Sequence, residues 1–109
     1  MEILENIGVC TSYRFSCNEG EQEVGRVRLV VISNDLHDRP YGLVEDVFVE
    51  EEYRGKGYWK QLWESVLIVA KRKNCYKLIA TSRFSREGVH AMYEKMGFEK
   101  YGFEFRVDL

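Results

Sequence analysis

The chain has 109 residues, of which 45% are hydrophobic and 14% aromatic, so it can form one domain with a buried core. Charged residues are frequent, but their signs nearly cancel at −2, which argues against disorder and against a nucleic-acid partner. No stretch approaches the roughly 20 apolar residues of a membrane-spanning helix, and we expect no signal peptide.

The cysteines give no sign of a metal centre. Cys10, Cys17 and Cys75 are odd in number, and the spacing of the first two fits no common zinc pattern. We therefore expect reduced thiols in a cytoplasmic protein, with no bound metal.

Strand patterns dominate the first half of the chain. Residues 8–17 and the β-branched run 23–33 are predicted strands, joined by a turn at Asn18–Gly20. After a loop that contains Pro40, residues 43–49 form a third strand. Because these connections are too short for crossover helices, we expect antiparallel pairing.

The third strand carries two acidic residues among apolar ones. Strict alternation places its side chains on two faces. One face holds Leu43, Glu45, Val47 and Val49, and the other holds Val44, Asp46 and Phe48.

The second half alternates helices with strands. A helix running to about residue 73 is predicted from apolar residues at helical spacing, namely Trp59, Leu62, Trp63, Val66, Leu67 and Ala70. A strand at 76–82, a helix at 86–96 that ends at Gly97, and one or two strands within 98–108 follow. A strand, a helix and a following strand predict a parallel pair. The fold class is therefore α+β, with a mixed antiparallel and parallel sheet, two main helices and a single domain over 1–109.

Two glycines stand where the third strand leads into the first helix. The backbone N–H groups of a first helical turn have no internal acceptor, and they favour an anion such as phosphate. In Arg54–Gly57 the glycines allow close approach of the anion, and Lys60 adds positive charge nearby. The simpler alternative is that Gly55 and Gly57 only shape the turn. Neither a P-loop nor a dinucleotide fingerprint is present.

Two motifs in the same chain resemble those of the GNAT superfamily of N-acetyltransferases. Residues 49–58, Val-Glu-Glu-Glu-Tyr-Arg-Gly-Lys-Gly-Tyr, resemble the family's pyrophosphate motif. Residues 86–98, Arg-Glu-Gly-Val-His-Ala-Met-Tyr-Glu-Lys-Met-Gly-Phe, resemble its later helix motif. The order and spacing agree with the family, and the resemblance covers about residues 24–109.

The resemblance implies that acetyl-CoA binds in a V-shaped opening between the third strand and the strand at 76–82. It implies that the backbone of Val47–Val49 pairs with the pantetheine arm, and that the amides of Arg54–Lys60 hold the pyrophosphate. The cofactor-binding residues would be Val47, Phe48, Val49, Arg54, Gly55, Lys56, Gly57, Tyr58, Trp59, Lys60 and Arg86.

The chain departs from the family pattern at two places. Trp59 stands where the family usually has glycine or alanine, and the indole either joins the core or crowds the cofactor. The turn at 18–22 replaces two helices that many members have there. We therefore expect the acceptor side to be open or completed by another chain.

The transfer needs a base for the amine and an acid for the thiolate. Glu45 is the first candidate for the base and Asp46 is the alternative, although an acid on this strand can instead be a salt-bridge partner or an exposed residue. Tyr93 matches the family tyrosine near the thioester sulfur, although it can also be a buried core aromatic. His90 is more simply structural.

Three hypotheses follow from these patterns. The first is transfer of an acetyl group from acetyl-CoA to the primary amine of a small molecule or a protein. The second is a binding module without catalysis, which Trp59 and the missing helices favour. The third adds a homodimer that uses Tyr101, Phe103 and Phe105.

Overall fold

The computed structural model describes all residues from 1 to 109. It contains four strands, two α-helices and one short 3-10 turn at Glu51–Tyr53. In chain order the elements are β1 Thr11–Glu19, β2 Gln22–Ile32, β3 Tyr41–Val49, α1 Tyr58–Arg72, β4 Leu78–Ala80 and α2 Glu87–Lys95.

One mixed sheet organises the chain, with the strands in the order β1-β2-β3-β4. The first three strands pair antiparallel, and β4 runs parallel to β3. The tight turn between β1 and β2 uses Gly20 at a φ of 62°, which glycine adopts without strain. The mixed sheet with two helices confirms the predicted fold class.

The core lies between one face of the sheet and helix α1. Val27, Leu29 and Val44 supply the centre of the sheet face and are almost fully buried. The helix packs a stripe of residues against them, namely Leu62, Trp63, Val66, Val69 and Ala70. Burial of each large side chain contributes about 1.5–3 kcal/mol. This packing holds α1 against the sheet, and residues 50–57 lead from the end of β3 to the start of α1. Neither helix has the length and apolar character needed to cross a membrane.

Strand β3 contains a bulge that the sequence pattern does not predict. Arg28 pairs with Glu45, and Arg26 pairs with Phe48. Val27, the single residue between the two arginines, is therefore opposite both Asp46 and Val47. Asp46 has a φ of 53°, in the left-handed region. The extra residue reverses the alternation beyond it.

The predicted faces of β3 are therefore wrong after the bulge. Val47 and Val49 pack against the core together with Val44. Phe48 lies on the opposite face, where the guanidinium carbon of Arg26 is 4.9 Å from its ring centroid. Glu45 thus shares a face with Phe48 rather than with the two valines.

The strands predicted within 98–108 are not formed. Beyond Phe98 the chain makes no strand pairing, and its apolar side chains are exposed, including Phe103 and Phe105. Strand β4 is also shorter than the predicted 76–82, because it pairs with β3 over only three residues. An alternating pattern produces a strand only where a neighbouring strand accepts its hydrogen bonds. No strand of the sheet pairs with this segment.

Candidate functional site

A cleft of about 510 Å³ opens where β3 and β4 stop pairing. The parallel ladder holds Gly42–Val44 against Leu78–Ala80 and then ends. Beyond it, one wall comes from the bulged part of β3, and the other comes from the segment after β4 and from α2. Five predicted site residues line this cleft, namely Glu45, Val47, Phe48, Arg86 and Tyr93. The cleft lies where the resemblance implies an opening.

The glycine loop leads from the end of β3 to the first turn of α1. Gly55 has a φ of 74° and Gly57 a φ of 91°, and Gly57 caps the helix. A Cβ at either position would meet no atom within 4 Å. Glycine is therefore needed for the left-handed backbone, and the space above the loop is open.

Six consecutive backbone amides, from Gly55 to Lys60, have no acceptor within the protein. The first amide that is satisfied belongs to Gln61, which donates to the carbonyl of Gly57 over 3.2 Å. These amides lie at the positive end of a helix of 15 residues. The arrangement can hold an anionic group such as a pyrophosphate.

The charged side chains of the loop do not all point at these amides. Arg54 donates from Nε to the carbonyl oxygen of Val49 over 2.8 Å, and its guanidinium carbon is 5.9 Å from the ring of Phe48. Lys56 places its ammonium 5.5 Å from the ring of Tyr53. Arg54 therefore braces the end of β3, and it leaves two guanidinium nitrogens free of protein partners.

The side chain of Tyr58 turns towards β1. Its phenol donates a hydrogen bond to the carboxylate of Glu19, and this bond raises the pKa of Tyr58 to about 12. The predicted cofactor contact at Tyr58 is therefore available through its backbone amide. The contact also ties the start of α1 to the end of β1.

Trp59 lies on the core side of the helix. Its indole stacks on Trp63 with ring centroids 6.1 Å apart, and its Nε1–H donates to the sulfur of Met96 over 3.1 Å. Of the two alternatives for this residue, the structure favours the core. The unusual residue thus leaves the amides of the loop open.

Tyr93 presents the only buried titratable side chain of the cleft wall. It is 9% exposed, and it packs on Phe98 with ring centroids 5.2 Å apart. Burial raises the pKa of the phenol, and the nearby positive charge of Arg86 opposes this shift. The phenol therefore stays protonated at neutral pH and can act as a proton donor.

The two acidic candidates have different surroundings. Asp46 accepts a hydrogen bond from Nε of Arg26 over 2.9 Å, so its charge is compensated. Glu45 is exposed to the cleft and forms no salt bridge. His90 does not line the cleft, and its Nε2 contacts the carbonyl of Arg83 over 2.8 Å. Glu45 is therefore the available carboxylate.

Several cleft residues were not anticipated from the sequence, namely Arg26, Thr81, Ser82, Arg83, Val89 and Glu104. The carboxyl ends of parallel strands meet at one edge of a sheet, so the residues just after the strand at 76–82 were predictable. Arg26 required the register of β2 against β3, and Glu104 required the path of the C-terminal segment. No group of three or more histidine, cysteine or acidic residues is arranged to hold a metal.

Comparison with known proteins agrees with this geometry. "Glucosamine 6-phosphate N-acetyltransferase" of Trypanosoma brucei brucei is 38% identical over 71 residues, or 65% of this chain and 46% of that protein. The chain thus spans less than half of that relative. A Trypanosoma brucei acetyltransferase structure is 31% identical, with a TM-score of 0.78, and covers 92% of this chain and 69% of its own.

A third relative is alike in fold alone. The glucosamine-6-phosphate N-acetyltransferase structure from Arabidopsis thaliana is 21% identical, with a TM-score of 0.79, over 89% of this chain and 66% of its own. The model of the acetyltransferase (GNAT) family matches residues 3–98, most of the sequence. The chain therefore belongs to the GNAT acetyltransferase family.

Proposed function

We propose that this chain transfers an acetyl group from acetyl-CoA to a primary amine. The observation that carries the proposal is the position of the six free amides of Gly55–Lys60 at the start of α1. Residues 50–54 connect them to β3, whose bulged end forms one wall of the cleft that Glu45 and Tyr93 line. An anion site beside a cleft with a free carboxylate and a buried phenol suits a phosphate-bearing acyl donor.

The donor would lie along the edge of β3 that β4 leaves free. Its pyrophosphate would be held by the amides of Gly55–Lys60, with Lys56 and Lys60 adding positive charge. The backbone between Glu45 and Val49 makes no bonds to β4, so its polar groups on that edge can pair with the pantetheine amides. Arg86, across the cleft, would add a further positive charge for the phosphates.

The chemistry then needs one base and one acid. The amine nitrogen attacks the thioester carbonyl carbon, and the carbon–sulfur bond breaks. Glu45 accepts the proton that the amine loses, directly or through water. Tyr93 donates a proton to the leaving thiolate and recovers one from solvent. A buried phenol with a raised pKa is protonated when the thiolate forms, as this role requires.

The second hypothesis, a binding module without catalysis, depended on Trp59 and on the missing helices. The first of these two arguments no longer holds. Trp59 is partly buried and packs against the core, so it does not cover the loop. The open acceptor side remains, because β1 is followed directly by the turn at Gly20. A homodimer would cover further surface, and the exposed aromatic side chains of the C-terminal segment suit such an interface. Light scattering tests this third hypothesis.

Turnover separates the enzyme from the binding module. The protein is incubated with acetyl-CoA and a panel of primary amines that begins with glucosamine 6-phosphate, the amine in the names of two relatives. Free CoA thiol and acetylated amine should appear in equal amounts. Binding of acetyl-CoA without product from any amine would favour the binding module.

A further inference from the structure

The face of the sheet opposite α1 carries a row of charges that runs through Glu45. The strand register places Arg14 of β1 opposite Arg28 of β2, and Arg28 opposite Glu45 of β3. All three side chains lie on the same face, because the residues that flank Arg28 in β2 are both in the core. The candidate base therefore has an arginine as its direct cross-strand neighbour.

These arginines differ in what they bind. Arg14 forms a bidentate salt bridge with Glu23, with nitrogen–oxygen distances of 2.6 and 2.9 Å. Arg26, nearer the cleft, is paired with Asp46. Arg28 instead donates only to the hydroxyl of Ser12, over 3.0 Å, and no carboxylate lies within salt-bridge distance. Arg28 is therefore the only arginine of β1 and β2 without a compensating acid.

Glu45 and Arg28 do not bind each other although they are directly opposed. Directly opposed Cβ atoms in an antiparallel pair lie about 5 Å apart, so long side chains can meet if nothing competes. Here Glu45 is exposed to the cleft and Arg28 turns towards β1. The pair presents one free negative and one free positive group on the same side of the molecule.

We propose that the acceptor amine carries an anionic group, and that Arg28 binds this group while Glu45 receives the amine. This inference builds on the proposed acetyl transfer and names the class of acceptor. A guanidinium suits a phosphate or carboxylate because its planar donors can form two parallel hydrogen bonds. Arg28 is thus a specificity-determining residue.

Arg28 lies beside the cleft and does not line it, and the arginines that do line it are less suited to this role. Arg83 and Arg86 lie on the opposite wall, on the segment after β4 and at the start of α2. The positive charge of Arg86 also opposes the burial that raises the pKa of Tyr93, the proposed proton donor to the thiolate, so Arg86 belongs to the side of the acyl donor. An acceptor that reaches Glu45 across the face of the sheet lies beside Arg28, the cross-strand neighbour of Glu45.

The test compares pairs of amines that differ only in the anionic group. Glucosamine 6-phosphate against glucosamine probes phosphate, and 4-aminobutyrate against butylamine probes carboxylate. We expect the wild type to favour the anionic member of at least one pair, by roughly 10- to 100-fold in kcat/KM. R28Q should abolish this preference and leave the rate on the neutral amine unchanged.

The matched control is R14Q, which removes a neighbouring arginine of the same row that is already paired with an acid. It should keep the preference. Equal use of both members of each pair by the wild type would overturn the inference and leave the proposed acetyl transfer intact. A preference that survives R28Q but is lost in R83Q would overturn the assignment to Arg28.

A binding measurement separates this inference from the proposed function. If no amine is acetylated, the proposed acetyl transfer fails, and the phosphate-bearing amine is then titrated into the CoA-saturated protein by calorimetry. Binding that R28Q loses and R14Q keeps would support Arg28 as the anion site. Absence of binding to the wild type would refute it. Melting temperatures of both variants check that they are folded.

Discussion

Arg54 donates from Nε to the main-chain carbonyl of Val49 over 2.8 Å, which links the start of the glycine loop to the end of β3. The loop that offers its amides to an anion is thus fixed to the strand that forms the cleft wall. The arrangement predicts that the Arg54 side chain orients the loop.

Substitution of Arg54 should therefore weaken donor binding more than it slows catalysis. Arg54→Met removes the bond to Val49 and the two free guanidinium nitrogens, and we expect the KM for acetyl-CoA to rise roughly tenfold with little change in kcat. Arg72→Met, at the far end of α1, is the control and should change neither value. A large loss of kcat with an unchanged KM would contradict this role.

Tyr93 should act as the proton donor of the reaction. Tyr93→Phe keeps the packing on Phe98 but removes the hydroxyl, and we expect kcat to fall by about 100-fold while acetyl-CoA still binds. Tyr101→Phe is the control, because Tyr101 is 99% exposed. A variant with wild-type kcat would leave Tyr93 as a core aromatic only.

The pH dependence of kcat provides a second test of Tyr93. Burial raises the pKa of its phenol above the ordinary value of 10. The donor is protonated below that pKa, so kcat should stay high through neutral pH and fall only when pH rises past the raised pKa. Tyr93→Phe should lack this alkaline decrease. A decrease in kcat that begins well below pH 10 would assign it to another group.

Trp59 should stabilise the fold without obstructing the donor. Trp59→Ala removes an indole that stacks on Trp63 and binds Met96, so we expect the free energy of unfolding to fall by about 2–3 kcal/mol. The dissociation constant of acetyl-CoA should stay within about twofold of the wild type. Much tighter binding in the variant would show that the indole covers the site.

The Tyr58–Glu19 contact should give the stability a dependence on alkaline pH. The folded-state pKa of Tyr58 is raised from 10 to about 12, so this contribution is complete below pH 10 and is lost as pH rises towards 12. Tyr58→Phe should therefore lower the melting temperature at neutral pH and flatten its decrease across this window. Tyr53→Phe is the control. Identical pH profiles for Tyr58→Phe and the wild type would exclude the contact.

The elements that follow from local pattern were predicted from the sequence, and those that depend on register were not. The apolar spacing around Trp63 and Val66 placed α1, and the β-branched run of β2 placed a central strand. The bulge at Asp46 depends on how β2 pairs with β3. The sequence of β3 alone contains no residue that predicts a bulge. As a result, Glu45 and Phe48 share a face that strict alternation does not give them.

In the candidate site, too, the residues set by local sequence pattern were predicted, and those set by strand register were not. Gly55 and Gly57 marked the anion loop because their left-handed backbone conformation has a sequence requirement. Tyr93 was found through the second motif. Arg28 was identified as a candidate site residue only from the strand register, which places it opposite Glu45. The C-terminal alternation predicted strands, but the formation of a strand depends on an available neighbour.

Calorimetric titration of acetyl-CoA into the wild type, Gly57→Ala and Gly57→Glu tests the central claim most directly. Both variants bear the same strain, because Gly57 has a φ of 91°, but only the glutamate adds a negative charge beside the free amides. We predict that the wild type binds, that the alanine variant binds more weakly, and that the glutamate variant loses binding altogether. No binding by the wild type, or equal affinity in the two variants, would contradict an anion site at the start of α1.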